Sequence, residues 1–142
     1  MINISSNVQF LLSLTKAESI VTRRFDSGLG GLSLSDFMIL FELSQAREEK
    51  MRRIDLAETV GLTASGITRL LAPMEKVGLI KREAHEQDAR VSFVKLAPGG
   101  KAKLTDALED AEDLAKRLIP SSGAKNIQAF AEVLKEIGRN AL

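Results

Sequence analysis

Apolar positions along this chain keep a helical period almost throughout and switch to strict alternation only once. From Ser5 to Phe25, the residues Phe10, Leu14, Ala17, Val21 and Phe25 return at steps of three and four, which marks one face of a helix. Leu11, Leu12 and Ile20 widen that face, so it must pack on something extensive, either its own domain or a second subunit. Gly28, Gly30 and Gly31 break the pattern into a turn. A second helix is expected after Ser33 or Ser35 as N-cap, with Asp36 in the first turn, where the helix dipole favours an anion. Phe37, Met38, Leu40, Phe41 and Leu43 predict that this helix is mostly buried. The charged segment from Ala46 to Arg53 reads as a loop, with a short edge strand over Arg52 to Ile54 and Asp55 capping the helix that follows.

The stretch from Leu56 to Leu79 reads as a short helix, a tight turn and a longer helix. Leu56, Val60 and Leu62 anchor the first half, and Gly61 can end that helix without a Cβ penalty. Thr63 stands where an N-cap belongs. Beyond it Ile67, Leu70, Leu71 and Met74 define a buried face, while Ser65, Thr68, Arg69 and Ala72 form an opposite face of small and hydrogen-bonding side chains. A helix-turn-helix needs that division, because its second helix packs inward while offering short polar groups to a groove. The same residues also suit an ordinary helical hairpin. Pro73 lacks an N–H for the carbonyl of Arg69 and predicts a bend near the end of the second helix.

Alternation begins after Gly78. Residues 80–85 and 91–96 read as two strands, and residues 86–90 as a polar hairpin tip between them. A helix-turn-helix followed at once by a charged ribbon is the winged-helix arrangement, which favours a DNA-binding domain over a plain hairpin. Pro98 then opens a helix at the position proline tolerates best. Leu104, Leu108, Ala111, Ala115 and Leu118 suggest a heptad-like seam along it. Pro120 to Gly123 stop that helix, and Ile127, Phe130, Ala131, Leu134 and Ile137 stripe a last one.

Composition removes several function classes. With 44% apolar residues a packed core is affordable, and with no Cys there is neither a disulfide frame nor a thiolate nucleophile. One His and no Cys give no transition-metal cluster, and no cofactor is expected. Six Phe without Tyr or Trp disfavour base stacking on single strands. No apolar run reaches membrane-span length and no signal-peptide pattern opens the chain, so a cytoplasmic protein without a membrane partner is expected. Net charge is only +1, and the ten basic and eight acidic residues between Arg47 and Lys95 leave an excess of two. DNA binding would therefore rest on where cations sit rather than on bulk charge.

That weak excess keeps a second class open, a winged-helix module that binds a partner protein instead of a specific DNA sequence. The acidic pairs at Glu48-Glu49 and from Glu109 to Asp113 lie in a charged loop and on a solvated helix face. Neither place is the shielded cleft that acid–base catalysis requires, so no enzyme activity is expected. His85 has no nucleophile beside it and reads as a surface histidine of the ribbon.

The run LTASGITRLLAPMEKVGLIKRE leading to QDARVSFVKLAPGGK resembles the MarR (multiple antibiotic resistance regulator) family over nearly the whole chain. Its most specific parts are Gly78-Leu79-Ile80, Asp88-x-Arg90, Val94-x-Leu96 and Gly100 in register. The resemblance implies a mainly α fold with a small β-hairpin wing. It implies an N-terminal dimerisation helix and turn over residues 1–32, a winged helix-turn-helix over 33–97 and C-terminal dimerisation helices over 98–142. A homodimer would bind double-stranded DNA at a pseudo-palindromic operator, most simply as a repressor relieved by a small aromatic or anionic effector. The DNA-binding residues implied are Thr63, Ser65, Gly66, Thr68 and Arg69 on the groove-facing helix. To these it adds Arg90 at the wing tip and Asp88, which would hold the wing turn and orient Arg90. Two positions depart from the pattern: Val91 stands where many relatives have a second arginine, and Ala97 where the family usually has a capping threonine.

Overall fold

The computed structural model describes residues 1–141. It contains α1 (Ser6–Asp26), α2 (Leu34–Gln45), β1 (Lys50–Arg52), α3 (Arg53–Thr59), α4 (Ala64–Lys76), β2 (Ile80–Ala84), β3 (Ser92–Leu96), α5 (Pro98–Leu118) and α6 (Ile127–Ala141). Mainly helical, with one small antiparallel sheet in the order β1-β3-β2, it is a winged helix-turn-helix flanked by long helices.

The core gathers Leu29 and Leu32 from the glycine turn, Ile39, Leu40 and Leu43 from α2, Leu56 from α3, and Ile67, Leu71 and Met74 from α4. Ile80, Val94 and Leu96 close it from the sheet, and Leu104, Ala107, Ala111 and Leu114 from α5. The polar stripe of α4 is left outside, so this core is what orients the helix. Gly100 is where α5 meets the chain leaving α4: a Cβ there would overlap the carbonyl oxygen of Leu79 and stand 3.0 Å from Leu96 Cδ1.

Several sequence expectations shift by a residue or a face. Ser33 is the N-cap of α2, accepting from the Asp36 amide at 3.0 Å. In α2 Ile39 is buried, whereas Met38 and Phe41 stay 37% and 40% exposed. The helix turns a narrower stripe inward than its apolar content suggests. The edge strand is Lys50–Arg52, two residues earlier than expected, because its register is set by pairing Met51 with Val94. Asp55 consequently lies inside the first turn of α3, paired with Arg52 at 3.1 Å, and Arg52 occupies the N-cap without a side-chain bond. On α5 the inward face is Leu104, Ala107, Ala111 and Leu114; Leu108 is exposed and Ala115 flanks the buried stripe. Leu104 and Ala111 of the expected seam do face inward, joined by Ala107 and Leu114 in place of Leu108 and Ala115.

Neither α1 nor α6 buries any residue in the single chain. Phe10, Leu11, Leu12 and Ile20 on α1 are exposed, as are Phe130, Val133 and Leu134 on α6. No helix among the described residues is long and apolar enough to cross a membrane.

Candidate nucleic-acid interface

Two glycine-ended helix termini set the geometry. After α3 the amide of Leu62 reaches the carbonyl of Ala57 at 2.8 Å and that of Gly61 reaches Glu58 at 3.1 Å, with Gly61 at φ 73°. This is a Schellman terminus, and it needs the left-handed conformation that glycine adopts freely. The same pair of bonds recurs after α4, from Leu79 to Met74 at 2.9 Å and from Gly78 to Glu75 at 3.1 Å, with Gly78 at φ 81°. The first terminus turns the chain into α4; the second turns it into the wing.

Between them Thr63 caps α4, its Oγ1 accepting from the Gly66 amide at 3.0 Å. Gly66 serves that cap directly, since a Cβ there would stand 3.1 Å from Thr63 Oγ1. Ser65, Thr68, Arg69 and Ala72 all face solvent. The Thr68 hydroxyl donates to the Ala64 carbonyl at 2.9 Å and accepts from Arg53 Nη1 at 3.0 Å. Arg69 makes no hydrogen bond or ion pair among the described residues. The helix continues through Pro73 to Lys76, so proline removes one hydrogen bond without ending α4.

In the wing, Asp88 Oδ1 accepts from the Arg90 amide at 3.0 Å and from its Nε at 3.2 Å. Those two bonds hold the Asp88 carboxyl below its ordinary value. The Arg90 side chain, 90% exposed, projects from the turn. Thr63, Ser65, Gly66, Thr68 and Arg69 thus share the start of one helix, while Asp88 and Arg90 form a separate wing-tip unit.

What joins the two units was not anticipated. Arg52, Arg53, Arg82 and Arg90 line a cleft of about 440 Å3 between Ala64 at the start of α4 and Val91 and Ser92 on the wing. No carboxylate lines it, although Asp55, Glu75 and Asp88 hold Arg52, Arg82 and Arg90 from outside. The buried Nε of Arg53 has no partner. A charge excess of two, spread evenly, would attract a polyanion feebly; four guanidiniums around one cleft do so locally. The sequence signal for Arg52 and Arg53 was a basic pair just ahead of the first helix, whose meaning depended on β1 joining β3.

Residues 32–92 match the sequence model of the MarR family. Among curated relatives, an uncharacterized HTH-type transcriptional regulator of Bacillus subtilis (strain 168), YdgJ, is 23% identical over 96% of this chain and 81% of its own length. The HTH-type transcriptional repressor YetL of the same organism is 31% identical over 69% of this chain and 58% of its own. Of solved structures, the transcriptional regulator BldR from Sulfolobus solfataricus superposes with a TM-score of 0.81 at 26% identity, covering 96% of this chain and 99% of its own. The MarR family regulator Sco3205 from Streptomyces coelicolor, in complex with DNA, gives 0.77 at 19% identity over 96% and 90%. NadR in complex with 4-hydroxyphenylacetate gives 0.79 at 20% identity over 97% and 98%. Over residues 32–92 the chain thus carries a MarR-type winged helix-turn-helix domain, and the curated proteins it is similar to are transcriptional regulators rather than enzymes.

Proposed function

We propose that two copies of this chain bind a pseudo-palindromic operator, each placing the start of α4 in a major groove and its wing against the flanking minor groove. The observation that carries this reading is the arginine-lined cleft joining the start of α4 to the wing. Beside it Ser65, Thr68 and Arg69 face the bases, Thr68 offering its methyl group to thymine and Arg69 its guanidinium to guanine. Thr63 and Gly66 present the capped helix start to the phosphates. Arg90, steadied by Asp88, enters the minor groove, where the potential is most negative when the groove is narrow. Arg53 joins the set as a phosphate clamp.

Dimerisation falls to α1 and α6, whose apolar faces bury no residue fully in one chain. Phe10 and Leu11 of α1 and Val133 and Ile137 of α6 share one apolar hollow of about 410 Å3, so both helices contribute to one continuous surface. The regulator acts as a repressor, as YetL is named, and a small aromatic or anionic molecule relieves it, of the kind NadR holds.

Selection of bound duplexes from a random pool tests the whole reading. The expected product is an inverted repeat with half-sites about 34–36 Å apart, bound with an affinity that falls steeply as salt rises. An enriched site without symmetry would remove the dimer. Binding indifferent to both sequence and salt would move the surface to a protein partner instead.

A further inference from the structure

His85 stands just past the end of β2, and its imidazole is built into the wing tip rather than left in solvent. Nδ1 accepts from the backbone amides of Gln87 and Asp88, each at 3.1 Å. The ring stacks on Phe93 of β3 at 5.6 Å between centroids, and Lys50 of β1 covers the same phenyl ring at 4.9 Å. The tip closes with the His85 amide on the Val91 carbonyl at 3.2 Å and the Val91 amide on the Asp88 carbonyl at 3.1 Å. Asp88, which holds Arg90, is thus itself held through its own amide by His85.

An imidazole nitrogen accepts a hydrogen bond only while it carries no proton. We propose that His85 is the positioning residue of the wing, a latch that holds the Asp88–Arg90 unit when neutral and releases it when protonated. The charged groups around it are largely paired already. Lys50 bridges Glu48 at 3.6 Å and Glu83 at 3.5 Å, Lys95 reaches Glu83 at 3.9 Å, and Arg90 holds Asp88. Glu86, beside the ring, has no ion-pair partner among the described residues. Protonation therefore acts by removing two acceptor bonds from the turn, not by breaking an existing ion pair. The effect on DNA has a diagnostic sign. An added cation at the tip would by itself tighten binding to phosphates, whereas release of Arg90 loosens it.

The role in DNA binding rests on the operator reading above; the latch itself does not, and two measurements keep them apart. In the free protein, the amide resonances of Gln87 and Asp88 should shift together on acidification from about pH 8 to about pH 5.5. His85→Asn places a non-titrating acceptor near the position of Nδ1 and should abolish that shared step. His85→Phe keeps the stacking partner for Phe93 but has no acceptor, and should show the acid-state amide positions at both pH values. Affinity for the selected duplex, at constant ionic strength, should fall about fivefold for the natural protein over the same pH change. It should stay level for His85→Asn, and be weak throughout for His85→Phe. Amides that ignore the pH change, a His85→Asn protein with the natural pH response, or affinity that holds or rises on acidification would overturn the latch. If no duplex is bound at any pH, the operator reading fails and the amide shifts alone decide the latch.

Discussion

Arg53 and Asp36 show how far a residue's role depends on what folding brings beside it. In sequence Arg53 is one half of a basic pair; in the structure it donates to Thr68, fifteen positions later, and lines a cleft with three other arginines. Arg53→Ala should weaken binding about equally on all duplexes and lower the salt slope by about one, as expected for a lost phosphate contact. A loss confined to one base-pair position, measured by competition among operator variants, would instead make it a base reader. Asp36 sits in the first turn of α2, where burial, aided by the nearby Asp26 charge, outweighs the bonds to Ser33 and raises its carboxyl above the ordinary 3.8. A raised folded value means the native state holds the proton more tightly than the unfolded chain does. The stability this gives is complete below 3.8 and is lost as pH rises through the folded value. Asp36→Asn should therefore raise the melting temperature at about pH 7, and the gain should vanish near pH 3. An equal gain at both pH values would place its origin elsewhere.

At the scale of elements, local chemistry was readable where one residue type has one use. Ser33, one of the two serines expected there, caps α2, Gly61 ends α3, and Pro98 opens α5. Which face of an element turns inward was harder to read, because size misleads: Leu108 is exposed while Ala107 is buried. β1 could not be placed from its own residues, since three residues become a strand only when Met51 finds Val94. Asp55 then loses the cap position to Arg52, which offers no acceptor. α5 likewise begins at Ala97 without a side-chain cap, and two glycines follow Pro98. Its N-cap backbone, at φ −86° and ψ 159°, is the extended conformation a capping threonine uses. Ala97→Thr should stabilise the protein by about 0.5–1 kcal/mol, read as a higher melting temperature. A lower one would mean that the enclosed site rejects the extra atoms, as overpacking does.

For the whole molecule the question is what covers α1 and α6. Each carries a continuous apolar face, and Phe130 is 52% exposed in the lone chain. The paired-copy proposal covers this exposed apolar area with the same surface of a second chain. Replacing Phe130 and Leu134 together by Asp should leave the winged domain folded, because α6 gives nothing to its core. The pair should convert a dimer to a monomer in sedimentation analysis and weaken operator binding far more than any single groove contact. A natural protein that already sediments as a monomer would end the paired-site proposal.

The helix-turn-helix, its wing and the long helices around it were determined by the sequence alone, because period, glycine and proline act over four or five neighbouring residues. So was the polar face of α4, which follows from the spacing of Ile67, Leu71 and Met74. The arginine cleft and the His85 latch were decided only by tertiary structure. Arg52 and Arg53 join Arg82 and Arg90 because β1 pairs with β3 across about forty residues of chain, and His85 gains its role from the return of Phe93 beside it. A charge exerts its field through space, so its consequence cannot be read until the fold has said which other charges stand near.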